Sequence, residues 1–242
     1  MFAIFNQTED SDKPDEQPTM PLLSKAQREE QERLQLQIAS LERQISTPTP
    51  EQLARLAAWV RASGVGAIET REPGGTPNGA RIRAVPLDGT DALDARAEAL
   101  LMAADRAQAL AELVRPALAR GEWVISDRHV PSSLVYQGVG RDLGVAEVAS
   151  INAWATAGTV PDLVVVLDLP DDLADRRRAE RGGGHDRMER ESAEFHARVR
   201  RAYRDLAASE GWALVDAGGS PDEVAARIAR AVEDRLGRPT PS

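Results

Sequence analysis

The sequence predicts an α/β fold, a parallel sheet flanked by helices, with a helical extension in front of it. Two observations carry this prediction. From residue 51 onward, short apolar runs alternate with stretches of helical periodicity, which is the pattern of strand–helix–strand units. Residues able to do chemistry stand directly behind the apolar runs, where ligands of parallel sheets sit. The 242 residues, 42% of them hydrophobic, suffice for one such domain plus an appendage. Aromatic residues are only 4%, so aliphatic side chains must fill the core.

The elements follow in order. Residues 1–22 read as disordered, because residues 6 to 21 are polar and acidic and carry three prolines. Met1 to Phe5 is too short, and too quickly followed by acid, for a signal peptide, although it could serve as a strand. An amphipathic helix is expected over 23–46. Ser24 with Gln27 has the form of a capping box, and Leu34, Ile38, Leu41 and Ile45 make one apolar stripe. That stripe could pair with another chain or lie on the domain. Thr47-Pro48-Thr49-Pro50 breaks the helix, and a second begins at once. There Thr49 can cap, Pro50 suits the first helical position, and Leu53, Leu56, Ala57 and Val60 form the buried face up to Gly64.

Strands are expected at Ala67-Ile68, Trp123 to Ile125, Leu163 to Leu167 and Trp212 to Val215. Helices are expected at about 95–119, 145–157, 171–181, 190–209 and 221–236. Residues 237–242 read as a disordered tail.

Composition excludes several classes of function. The net charge of -9 argues against broad nucleic-acid binding. The absence of cysteine excludes disulfides and thiolate metal sites. The sequence holds no run of 18 apolar residues, so a membrane partner is not expected and a cytoplasmic location is. Composition also changes near residue 50. Both lysines, Lys13 and Lys25, and seven of the ten glutamines precede it, and the first glycine is Gly64.

Five motifs could carry chemistry. Thr70 to Thr76 (TREPGGT) follows a strand. Its paired glycines allow close backbone approach to a ligand, and Arg71 could clamp a phosphate, although a plain turn with a solvated arginine has the same form. Ser126-Asp127-Arg128 ends the next strand. Asp127 can hold a metal ion or orient a nucleophile, and Arg128 can neutralise a phosphoryl group; a loop-anchoring ion pair is the other reading. Ser132 to Gly138 lines up hydroxyls, a phenol and an amide able to read a sugar and a base edge. Arg176, Arg177, Arg178 and Arg181 precede three glycines and then Asp186 to Glu189. This arrangement suits a lid over phosphates, or a solvated basic helix end. Arg106 on the helix of 95–119 could face a nucleobase or simply solvent.

In their order and spacing these residues resemble bacterial thymidylate kinase from residue 51 to about 236, with 50–236 as the kinase-like domain. The resemblance rests on Arg71 to Gly75, Leu101 to Gln108, Asp127-Arg128, Ser132 to Gly138, Pro161-Asp162 before a strand, and Asp186 to Glu189. It implies a P-loop NTPase-like parallel sheet of nucleoside monophosphate kinase architecture. It also implies phosphorylation of dTMP to dTDP by ATP with Mg²⁺, in a homodimer. By the same resemblance Arg71 and Arg128 grip the dTMP phosphate, Arg106 reads the thymine edge, and Ser133, Tyr136 and Gln137 line the nucleoside pocket. Asp127 serves the metal or the transfer, and Arg176, Arg177, Arg178, Arg181, Asp186 and Glu189 belong to an arginine-bearing lid, with Arg178 and Arg181 taken as catalytic. The Tyr136-Gln137-Gly138 neighbourhood favours thymidylate over guanylate among such kinases.

Two departures stand out. Met102 occupies the position where the family stacks an aromatic ring on thymine. The glycine-lysine loop that holds ATP in the family is missing before Glu51: no glycine precedes Gly64, and no lysine follows Lys25. The sequence therefore leaves three readings open: an active kinase with an unconventional grip on ATP, a silent nucleotide-binding relative, and a structural or interaction protein or a chain whose first 50 residues have been substituted.

Overall fold

The computed structural model describes residues 48–88, 92–170 and 191–240. The expected extension over 1–22, the helix over 23–46, the helix over 171–181 and the lid residues Arg176, Arg177, Arg178, Arg181, Asp186 and Glu189 lie outside the described residues.

The described chain is mostly helical with small parallel sheets. Helix α1 (Pro48–Ala62) leads into strand β1 (Ala67–Arg71). Helix α2 (Pro77–Asp88) and helix α3 (Ala95–Ala109) follow. A π-helical segment (Leu110–Val114) carries α3 into the short α4 (Arg115–Ala119). Strand β2 (Trp123–Asp127) is followed by α5 (Val130–Ser133), a second π-helical segment (Leu134–Gly140) and α6 (Val145–Thr156). Strand β3 (Val165–Asp168), α7 (Ala193–Glu210), β4 (Ala213–Asp216) and α8 (Pro221–Leu236) complete the order.

Local chemistry explains most of these boundaries. The Asp94 side chain accepts from the Arg96 and Ala97 amides at the start of α3. Ser192 does the same for Phe195 in α7, and Gly211 ends that helix in the left-handed conformation. Ser220 and Glu223 close a full capping box on α8. Helix α2 is not apparent from periodicity, because Pro77, Gly79 and Pro86 read as breakers. Thr76 nevertheless caps it, accepting the Gly79 amide at 2.8 Å, with Pro77 as its first residue.

All strand pairings are parallel. Ala67 to Arg71 lie beside Trp123 to Asp127 in step, and Val165 to Asp168 beside Ala213 to Asp216. Among the described residues the strands form two two-stranded sheets rather than one continuous sheet. The resemblance places a first, central strand ahead of Glu51, and none lies among the described residues. Ala67 and Thr70 are buried on β1, and Ala213 and Val215 alternate with exposed residues on β4, whereas every residue of β2 and β3 is half-buried.

A shared core ties the halves together. Val215, Val224, Ile228 and Val232 pack with Leu56 and Trp59 of α1, Trp123 of β2, and Leu163, Val165 and Leu167 around β3. Helix α1 lies on β1 and β2 and also touches α8. A second cluster of Leu87, Met102, Val135, Phe195, Val199 and Ala202 packs with Tyr136, Val139, Tyr203 and Leu206.

Candidate functional site

The parallel register brings Arg71, the last residue of β1, beside Asp127, the last of β2. One more rung, the Glu72 amide donating to the Asp127 carbonyl at 2.9 Å, carries the ladder past the strand ends. Pro50 and Leu53 at the entry of α1 join Thr70, Arg71, Gly75 and Asp127 around a cavity of about 330 Å³. The two residues that sequence reasoning assigns to a phosphate and to a metal or the transfer thus share one opening.

The loop after β1 is built for close approach. Gly74 adopts a left-handed φ of 105°, and its amide donates to Asp105 Oδ1 at 2.9 Å. A Cβ on Gly75 would meet Thr70 Oγ1 at 2.5 Å and the Arg71 carbonyl at 2.7 Å, so only glycine fits. Arg83 of α2 donates to the Pro73 carbonyl at 3.1 Å. Asp105 is buried and its Oδ2 has no partner among the described residues. Burial raises its carboxyl pKa, against the hydrogen bond from Gly74.

Beneath this loop lies a buried polar network. Arg106 is 3% exposed, and its Nε donates to Glu72 Oε2 at 2.7 Å. Its Nη1 donates to Ser133 Oγ at 3.3 Å and to Asn152 Oδ1 of α6. The His129 ring meets both Glu72 oxygens at 3.0 Å. Burial pushes the Glu72 carboxyl up, but the His129 hydrogen bond and the charge of Arg106 outweigh it and hold the group below its ordinary value. Arg106 is therefore not a solvated surface arginine, and Ser133 shares its guanidinium.

Arg128 follows β2 with a left-handed φ of 73°. This conformation, uncommon for a non-glycine residue, turns the side chain so that its guanidinium carbon lies 5.3 Å from the Tyr136 ring centroid. Nη1 also reaches Ser132 Oγ at 3.5 Å. Its pKa is raised, through Tyr136 first and, against desolvation, through Tyr203 and Asp127, so it stays charged. Gln137 is buried and donates to Glu98, which is 0% exposed; Arg141 also binds Glu98. Met102 stands one helical turn before Arg106, within the apolar cluster under Val135 and Phe195.

The structure thus gathers Arg71 with Asp127, Arg106 with Ser133, and Arg128 with Tyr136. Gln137 stands nearby, anchored on α3. Sequence reasoning gave no role to Glu72, His129, Asn152, Glu98, Asp105 or Tyr203. One signal was available for two of them: Glu98, Met102, Asp105 and Ala109 share a buried stripe of α3, and charged residues on such a stripe need partners. Asp127 and Glu69 are the carboxylates at the cavity, Glu69 paired with Arg61, and among the described residues no group of three or more His, Cys, Asp or Glu could hold a metal ion. Mg²⁺ in phosphoryl-transfer sites takes one or two carboxylates plus substrate phosphates, so Asp127 fits that lesser demand. The residues entering α1 do not fit the donor phosphates in the family's manner, because Pro50 has no N–H and no lysine lies there. Among the described residues no helix is long and apolar enough to cross a membrane.

Known proteins match this arrangement. A thymidylate kinase family model matches residues 51–228. The thymidylate kinase of Leifsonia xyli subsp. xyli is 46% identical over 186 residues, covering 76% of this chain and 89% of the relative. That of Deinococcus radiodurans is also 46% identical over 186 residues, covering 76% and 90%. That of Halothermothrix orenii is 42% identical over 191 residues, with the same coverage. The α/β architecture with parallel strands accords with nucleoside monophosphate kinases. With a match beginning at Glu51 and taking in every described motif, the chain belongs to the thymidylate kinase family.

Proposed function

We propose that the protein phosphorylates dTMP to dTDP, with ATP as the phosphoryl donor and Mg²⁺ as the metal, and that its domain of residues 50–236 carries the reaction. The observation that carries this reading is the pairing of Arg71 with Asp127 at one cavity, flanked by the Arg106–Glu72–Ser133 network. In it, a phosphate oxygen of dTMP attacks the γ-phosphorus of ATP, and the bond to the leaving ADP oxygen breaks. Arg71 and Arg128 hold the attacking phosphate and offset the charge shared in the transition state. Arg106, fixed by Glu72 and Asn152, presents its remaining donor capacity to a thymine carbonyl, while Ser133 and Gln137 meet the base or sugar edge. Met102 supplies an apolar surface beside them. Bound Mg²⁺ would be held by Asp127 and the phosphates and would neutralise developing charge.

Arg176, Arg177, Arg178, Arg181, Asp186 and Glu189 belong to this proposal as the lid, as do a homodimeric state and a cytoplasmic location. The test is direct: purified full-length chain with ATP, Mg²⁺ and dTMP should yield dTDP by chromatography. No product above an enzyme-free blank would overturn the transfer, and calorimetry with dTMP alone then shows whether acceptor binding stands.

A further inference from the structure

We propose that Tyr203, on helix α7, is a positioning residue that orients Arg128 toward the acceptor phosphate. The inference rests on the dTMP reading above and adds a residue from a part of the chain that none of the motifs reaches. Arg128 leaves β2 in a left-handed conformation with much of its side chain exposed, so its backbone alone does not fix the guanidinium. Two contacts fix it: the Tyr136 ring face at 5.3 Å and Ser132 Oγ at 3.5 Å. Tyr203 supports both. Its hydroxyl shares a hydrogen bond of 2.9 Å with Ser132 Oγ. Its ring packs edge-on against Tyr136, with centroids 6.3 Å apart and an interplanar angle of 76°.

Ser132 has one proton to give and two lone pairs to offer. Holding one lone pair toward Arg128 fixes where its proton and its other lone pair point, and Tyr203 meets that second position. The Tyr203 phenol is pushed up to about 12, by burial first and against the charge of Arg128, so it stays neutral and able to donate at physiological pH. Helix α7 is held in place by Phe195 and Val199 in the apolar cluster beneath Tyr136 and by Arg198 donating to the Gly140 carbonyl at 3.0 Å. Tyr203 is thus mounted on a packed element, whereas Arg128 is mounted on a loop.

The experiment compares dTMP with thymidine, which lacks the phosphate, by titration calorimetry on the full chain. A group that acts through Arg128 affects only the phosphate. Tyr203→Phe keeps the ring contact and loses one hydrogen bond, so dTMP affinity should fall about 3- to 10-fold, while thymidine affinity stays within experimental error. Ser132→Ala, which cuts the same link from the other side, should reproduce this selectivity. In an Arg128→Met background, Tyr203→Phe should have no further effect on dTMP. Equal losses for dTMP and thymidine, or additive losses in the double variant, would overturn the positioning role. Wild-type protein that binds neither ligand would instead overturn the dTMP reading itself, and this proposal with it. Thermal melting of each variant separates a folding defect from a binding defect, and Ser132→Ala decides the matter if Tyr203→Phe melts early.

Discussion

Two sides of one cavity are furnished in opposite ways. On the side formed by the ends of β1 and β2, the residues behind the strand ends hold one another in place. Arg106 is held by buried Glu72 and Asn152, Arg128 lies over Tyr136, and Gly74 is pinned to Asp105. On the side formed by the entry of α1, Pro50 and Leu53 face the same space with an imino ring and an isobutyl group. The first side is preorganised for an anion with an attached ring. On the second, neither Pro50 nor Leu53 is a cation, and Pro50 has no amide hydrogen. On the reading proposed above, the acceptor is met by residues of β1, β2, α3 and α6 and the stretch after β2, which hold one another through buried hydrogen bonds.

The largest effect should come from breaking the acceptor network. Glu72→Leu leaves Arg106 buried with its carboxylate partner gone and only Ser133 and Asn152 to meet it. Removing one partner of a buried pair costs about 3–5 kcal/mol, so the variant should lose that much in urea unfolding and should no longer bind dTMP. Unchanged stability would mean that water reaches Arg106 in solution and that this pair does not hold the network together.

A smaller effect is expected from the hydrophobic floor. Phe195 is buried beneath Tyr136, with rings 6.2 Å apart. Phe195→Ala opens a cavity there at a typical cost of about 3–5 kcal/mol, while dTMP binding should weaken through Tyr136 rather than vanish. On the other side of the comparison, Arg55→Ala removes exposed pairs with Glu51 and Asp222 at the start of α1. Neither stability nor dTMP affinity should change measurably. A loss of dTMP affinity in that variant would break the contrast between the two sides.

Much of this organisation was legible in the sequence, and the limits have physical causes. All four strands follow from short apolar runs and most of the described helices from helical periodicity, because burial selects apolar residues at those positions. Helix α2 and the helical stretch 130–140 were missed because Pro77, Gly79, Pro86, Pro131, Gly138 and Gly140 read as punctuation; neighbouring caps and packing override them. Arg71, Asp127, Arg106 and Tyr136 stood out because motif spacing locates the ends of strands. Their partners did not. Glu72 lies 34 residues from Arg106 and Asn152 lies 46 away, so only the folded path shows which carboxylate and which amide meet that guanidinium. Tyr203 lies 71 residues from Ser132 and was hidden for the same reason.

The smallest and sharpest test uses pH, because the acceptor side holds two carboxylates shifted in opposite directions. Glu72 has a lowered pKa in the folded state. Its contribution to stability is full above the unfolded-chain value near 4.3 and is lost as pH falls through the lower folded value. Asp105 has a raised pKa. Its contribution is present below the unfolded value near 3.9 and is lost as pH rises through the higher folded value, so at neutral pH the ionised group is a burden. Asp105→Asn can still accept from the Gly74 amide through its Oδ1. Stability measured by urea unfolding from acid to neutral pH should therefore gain modestly in this variant at neutral pH. The decline expected in the wild type as Asp105 ionises should also disappear, with the Glu72-dependent fall in acid preserved. If Asp105→Asn instead destabilises at every pH by a constant amount, the charge on Asp105 is serving the loop at Gly74, and the carboxylate belongs with the anchors of the phosphate turn rather than with its costs.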